Sequence, residues 1–221
     1  MDWWKRKDKL NFVWRLALLM VGLFFYGLAI AIVVKAELGL GSWDVLHKGL
    51  SLHTPLTFGQ AGQVTGLVII GLAFVLGVKP GLGTLANMYF VGFWIDLLGN
   101  ANVIPLAAPI GGLLAQIAWV IGAILLLGLA TGLYLKAQLG AGPRDSLMLS
   151  LVKRTGWRVA ICRVIIEITV CAVGWLMGGP VGIATLMVAF GIGPSVELGL
   201  KLCRVRVKTA AHPSPALETV H

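Results

Sequence analysis

Acidic side chains, cysteine and histidine are all scarce in this chain. Of 221 residues only 9 are Asp or Glu, 3 are Cys and 4 are His, and charged residues together make up 12%. Cys162, Cys171 and Cys203 are an odd set without C-x-x-C spacing. That argues against a disulfide framework and a zinc site, and leaves them as small buried hydrophobes. His47 and His53 share a loop six positions apart, and His212 and His221 fall in the last residues. No metal or cofactor is expected from so sparse a donor set. A Ser-His-Asp set and a phosphate-cradling loop are also missing, so the chain does not read as an enzyme. Alternation of apolar and polar residues is absent too, which argues against strands and a membrane barrel.

What the chain has in abundance is apolar residues, 58% of the total, with a mean hydropathy of +0.90. A domain of this size in water does not carry so much apolar surface, so the sequence reads as an integral membrane protein whose main partner is the lipid bilayer. Continuous apolar runs at roughly 12–34, 57–77, 82–99, 110–135, 157–177 and 182–200 are each near the ~20 residues that cross ~30 Å of hydrocarbon as a helix. The expected fold is an all-α polytopic membrane protein with six transmembrane helices. The first run exceeds the 7–15 residues of a secretory signal and reads as a retained helix, with Trp3, Trp4 and Trp14 as interfacial anchors.

Of the 18 basic residues, fifteen fall in segments that are cytoplasmic if the N-terminus is inside. They are Lys5, Arg6, Lys7, Lys9, Arg15, Lys79, Lys136, Arg144, Lys153, Arg154, Arg158, Lys201, Arg204, Arg206 and Lys208. Lys35 and Lys48 remain outside and Arg163 lies within a span. Both termini are therefore expected in the cytoplasm. The net charge of +9 reflects this bias and the pull of anionic headgroups, and without a folded basic domain it does not indicate nucleic-acid binding.

Shifting the chain against itself by 101 positions reveals an internal repeat. "KAELGLGSWDVL" at 35–46 meets "KAQLGAGPRDSL" at 136–147 with seven identities in twelve positions. The register continues through "GLA" at 27–29 and 128–130, Thr54 with Thr155, Gly77 with Gly178, "TL" at 84–85 and 185–186, and Asp96 with Glu197. Each copy holds three spans, an odd number, so the second would enter the membrane from the opposite side: a 3+3 inverted repeat. The expected organisation is one membrane domain over 1–208, with repeat 1 at about 12–100 and repeat 2 at about 113–201, and a disordered cytoplasmic tail at 209–221. Short helices that do not span are expected near 43–52 and 144–154.

Each short helix follows a G-x-G-x-x-D start. Gly39, Gly41, Gly140 and Gly142 let the chain reverse and approach a neighbour closely, and Asp44 and Asp145 fall in the first helical turn, where a carboxylate meets the positive end of the helix dipole. By the expected topology Asp44 lies near the outer face and Asp145 near the inner. Thr84 and Thr185 open the third span of each copy as caps or pathway residues, and Asp96 and Glu197 close it. Arg163 and Glu167, four apart on one helix face, have no charged counterparts: Gly62 and Gly66 occupy the matching positions. An ionisable residue inside a span costs about 2.5–3.5 kcal/mol on insertion scales, so this pair reads either as an internal ion pair or as a substrate or proton site.

"GLGSWDVLHKGLS", "PGLGTL" and "FWIDL", with "GAGPRD" and "GPVGIATL" in the second copy, make the chain resemble the YczE/YyaS/YitT-like bacterial integral membrane proteins over about residues 12–202. Ala184 stands where the first copy has Gly83, and Glu197 where it has Asp96. The resemblance implies a multi-pass protein of the bacterial plasma membrane and implies no particular activity. Inverted repeats and intramembrane charge point to a small secondary transporter of a small polar or ionic solute. In that role Asp44, Asp145, Asp96 and Glu197 would line the approaches, and Arg163 and Glu167 would contact solute or proton. The alternative is an accessory protein that binds a membrane partner, its glycines serving packing and its acids serving as caps and ion pairs. Sequence leaves the substrate and the oligomeric state open.

Overall fold

The computed structural model describes residues 9–101, 104–105, 108–140 and 142–205; the tail expected at 209–221, Trp3 and Trp4 lie outside the described residues. Within them the chain forms eight helices and no strand: α1 (Lys9–Ala36), α2 (Ser42–His53), α3 (Phe58–Val75), α4 (Leu82–Asn100), α5 (Ala108–Lys136), α6 (Pro143–Thr155), α7 (Val159–Leu176) and α8 (Ile183–Leu202). Six of them, α1, α3, α4, α5, α7 and α8, are long and apolar enough to cross a membrane. At 1.5 Å per residue, α2 (12 residues) and α6 (13 residues) reach only about 18–20 Å and cannot. Large apolar side chains remain on the outside of the bundle, with Phe190 and Leu176 both 80% exposed, as lipid-facing helices require.

Helix ends follow from local chemistry. Thr57 and Gln60 form a reciprocal capping box that starts α3, and Pro143 at the first turn of α6 supplies a pre-set φ and removes an amide that would have no partner. α1 and α5 both end through left-handed backbone: Glu37 (φ 57) and Gly39 (φ 101) after α1, Gln138 (φ 52) and Gly140 (φ 131) after α5. Only glycine takes the values at 39 and 140 without strain.

Lipid is as apolar as leucine, so helix association in the membrane depends on close packing more than on expelling water. α1 lies antiparallel to α5, with Arg15 near the start of α1 donating to the Ala137 and Gln138 carbonyls at the end of α5, both at 2.7 Å. These carbonyls have no helical partners of their own, and the guanidinium also meets the negative end of the α5 dipole. Ala29, Val33 and Ala36 of α1 pack with Val120, Ala123 and Leu127 of α5 and Ala184 of α8 in the main core. α5 and α8 touch backbone to backbone. A methyl group on Gly128 would fall 2.1 Å from the Ser195 carbonyl oxygen, and one on Gly199 would fall 2.0 Å from that of Gly128.

The two chain halves repeat the same local bonds, and each bonds to the other half. Gly83 N–H donates to the Leu139 carbonyl at 2.7 Å, and Ala184 N–H to the Leu38 carbonyl at 2.8 Å. Gly81 and Gly182 N–H donate to the hydroxyls of Thr84 and Thr185, both at 3.1 Å. Each pair is spaced by the 101 residues found in the sequence. These bonds fix the turn after α1 against the start of α8, and the turn after α5 against the start of α4.

Candidate functional site

Beyond those turns the chain moves inward. A methyl on Gly39 would contact Gly182, just before α8, whereas one on Gly41 would contact Val188, five residues past the first residue of α8. In the second half Gly140 meets Gly81 and Gly142 faces Asn87, five residues into α4. Each short helix therefore begins about 7.5 Å below the ends of the spans beside it. It then runs back toward the surface: at the far end of α2, His53 Nε2 lies 3.2 Å from the carbonyl of Met177, just past α7. The sequence reading set Asp44 and Asp145 on opposite faces. The structure brings the first turns of α2 and α6 together, because Gly41 and Gly142, both in extended backbone, open these helices beside Val188 and Asn87 rather than at the ends of the spans.

Side chains from the two N-termini meet there. Arg144 of α6 lies over the Trp43 ring, 5.1 Å from its centroid, and its Nη2 is 3.6 Å from Asp44 Oδ1. His47, one turn further along α2, places Nδ1 3.5 Å from the same oxygen and its ring 6.2 Å from Phe58. Trp43, Asp44 and His47 are all buried. Neither contact to Oδ1 is short enough for a good hydrogen bond, and that oxygen has no hydrogen-bond partner. Beside it is a small cavity of about 40 Å³ lined by Trp43, Asp44, His47, Phe58, Gly62, Gly66, Asn87, Met88 and Arg144. Gly62 and Gly66 create part of this space: a methyl on Gly62 would press the His47 ring at 3.2 Å, and one on Gly66 would meet Met88 Cγ at 2.7 Å.

Burial alone would push the Asp44 carboxyl up, but His47 and Arg144 outweigh it and hold its pKa below the ordinary carboxylate value, so the group is ionised. Burial lowers His47 below the ordinary imidazole value despite Asp44, so the ring is neutral near pH 7. Burial disfavours the charged form of Arg144 as well; Tyr26, Asp44, Glu167 and Asp145 more than offset it and raise its pKa. Asp145 is pushed up by burial, with Arg163, Tyr134 and Arg144 opposing, and Tyr134 O–H donates to its Oδ2 at 3.4 Å. The site thus holds an ionised acid and a cation from opposite halves of the chain, a neutral imidazole and aromatic walls. Among the described residues no group of three or more His, Cys, Asp or Glu is placed to hold a metal ion.

The other sequence candidates separate cleanly. Asp96 accepts from the Thr57 hydroxyl and from Gly59 N–H at 2.8 Å, fastening the start of α3 to the end of α4. Glu197 is on the surface, paired with Lys201 at 2.7 Å. Thr84 and Thr185 are buried caps. Arg163 is exposed and Glu167 half-buried, and no ion pair joins them among the described residues, although each acts electrostatically on the α6 turn. Sequence reasoning overlooked Trp43, His47, Asn87, Tyr134 and Arg144 as site residues. His47 lies on α2 rather than in a loop. Trp43 and Arg144 are repeat mates 101 positions apart with complementary chemistry, a cation and its aromatic platform, and that mismatch was the available signal.

Six apolar crossing helices with two short helices folded back between them define a multi-pass integral membrane protein. Residues 13–201 match the family described as "Family of unknown function (DUF6198)", and the chain belongs to that family. It is 33% identical to "Uncharacterized membrane protein YczE" of Bacillus subtilis (strain 168), over 87% of this chain and 88% of that protein. An "Uncharacterized protein" of Haemophilus influenzae is 30% identical over 85% of this chain and 84% of its own. "Uncharacterized protein YyaS" of Bacillus subtilis is 28% identical over 76% and 83%. No solved structure matches.

Proposed function

We propose that this protein is a small secondary transporter of the bacterial plasma membrane, with both termini cytoplasmic, that moves a small polar or ionic solute by alternating access of two inverted three-helix repeats. The observation that carries the reading is the meeting of two half-helix N-termini at one charged cavity of about 40 Å³. Interrupted helices whose positive ends point at a midplane site are how transporters bind polar groups inside a membrane. The Trp43–Arg144 contact supports the symmetry, since mates of a repeat touch each other beside the two-fold axis that relates them. The orientation rests on the basic residues of the inner segments, fourteen once Arg144 is set aside.

In transport the halves part alternately on the two sides of this cavity, and the Asp44–Arg144 contact between them breaks and re-forms. Glu167 and Asp145 border the path through their action on Arg144; Asp96 and Glu197 hold helices in place. The reading is tested by uptake of radiolabelled small solutes into proteoliposomes. Arg144→Gln, Asp145→Asn and Glu167→Gln should each cut uptake at least tenfold with unfolding midpoints kept. Wild-type vesicles no more permeable than empty ones to the whole panel would favour the accessory role instead.

A further inference from the structure

The cavity is bordered by two groups of opposite hydrogen-bonding character, Asp44 Oδ1 and Arg144 Nη2, which stand 3.6 Å apart as a loose ion pair, and neither makes a short hydrogen bond within the protein. Asp44 Oδ1 is an acceptor with almost no exposed surface and no hydrogen-bond partner. A buried carboxylate oxygen left without a donor is costly, and such atoms call for an explanation in a ligand or an ordered water. Arg144 makes no hydrogen bond to any described residue; its guanidinium is held by the Trp43 face and stands 3.6 Å from Asp44. Its donors and the uncapped first turns of α2 and α6, which have no side-chain cap at Gly41 or Gly142, favour an acceptor. Room at the site is about 40 Å³ and is set by glycine at 62 and 66.

An anion alone would satisfy Arg144 and repel Asp44, and a cation alone would do the reverse. We infer that the site binds a compact solute that carries a hydrogen-bond donor beside an acceptor, the donor on Asp44 Oδ1 and the acceptor on Arg144. A short amino-acid zwitterion and a small carboxamide share this chemistry. The inference deepens the transport reading, on which it rests for the role of the site, but binding is measured without flux.

The experiment follows thermal unfolding of the purified full-length protein in detergent with four probes: glycine, acetamide, acetate and methylammonium. Specific binding to the folded state raises the midpoint in a saturable way. Glycine or acetamide should do so, and which of the two does it identifies the solute as zwitterionic or neutral. Acetate and methylammonium, each with one end only, should bind at least tenfold more weakly. Asp44→Asn and Arg144→Gln should weaken the effective probe tenfold or more. Gly62→Ala, which fills the cavity without changing charge, should do the same and serves if a charge variant does not fold. Equal stabilisation by acetate or methylammonium, a response unchanged in Gly62→Ala, or no response to any of the four overturns the inference. Probe binding without uptake would refute transport and leave this site standing; uptake of solutes without probe binding would do the reverse.

Discussion

Gly199→Ala places one methyl group where α8 meets α5, and its cost follows from the geometry. The new carbon would sit 2.0 Å from the Gly128 carbonyl oxygen, 2.4 Å from its carbon and 2.9 Å from Leu129 N, whereas ordinary contact begins near 3.4 Å. All three atoms are main chain, so no side chain can rotate away, and the helices must separate by about 1 Å. Overpacking of this kind costs about 1–3 kcal/mol. Separation also stretches the 2.6 Å bond from the Ser195 hydroxyl to the Ile124 carbonyl, worth about 0.5–1.5 kcal/mol. The expected loss is about 3 kcal/mol. Gly193→Ala on the same helix is the control: nothing lies within 4 Å of its new methyl, and alanine's better helix propensity makes the change neutral or stabilising by up to about 1 kcal/mol. Unfolding of both variants in mixed SDS and dodecyl maltoside micelles, followed by circular dichroism, gives the comparison. Equal stability of the two variants would refute the backbone-to-backbone contact of α5 and α8.

Asp96→Asn should destabilise by about 1–2 kcal/mol in the same assay, through loss of a cap on α3, while Glu197→Gln, on an exposed pair, should leave stability unchanged. Neither should lower solute uptake per folded molecule by more than about twofold. His47 has a depressed pKa in the folded state, so the unfolded chain binds the proton first as pH falls. Stability should therefore drop from pH 7.5 to 5.5, through the ordinary imidazole value, and His47→Gln should flatten that part of the profile measured by thermal unfolding. A wild-type profile no steeper than that of His47→Gln would contradict the buried neutral imidazole.

The six crossing helices were legible because hydrocarbon imposes one length and one polarity on every span, and the short helices because the repeat marked both. Depth was not legible. Nothing in "LGLGSWD" states that the chain runs inward after Gly39; that depends on the bonds of Leu38 and Leu139 to the opposite half, which no local pattern encodes. Asp96 and Asp44 are equally acidic in sequence, yet one ties two helix ends together and the other faces a cavity, a difference made by what packs beside them. Arg144 was visible as a basic residue and was absorbed into the inside-positive count. Only the fold, by placing it over Trp43, separates it from the other basic residues.

In the proposed transport role a solute passes where α2 and α6 meet. The most direct test is uptake of labelled glycine and acetamide by proteoliposomes containing wild type, Asp44→Asn or Arg144→Gln, at matched amounts of folded protein. Saturable uptake of at least one of the two by wild type is expected, with a loss of tenfold or more in both variants. Uptake by the variants at the wild-type rate would contradict that role.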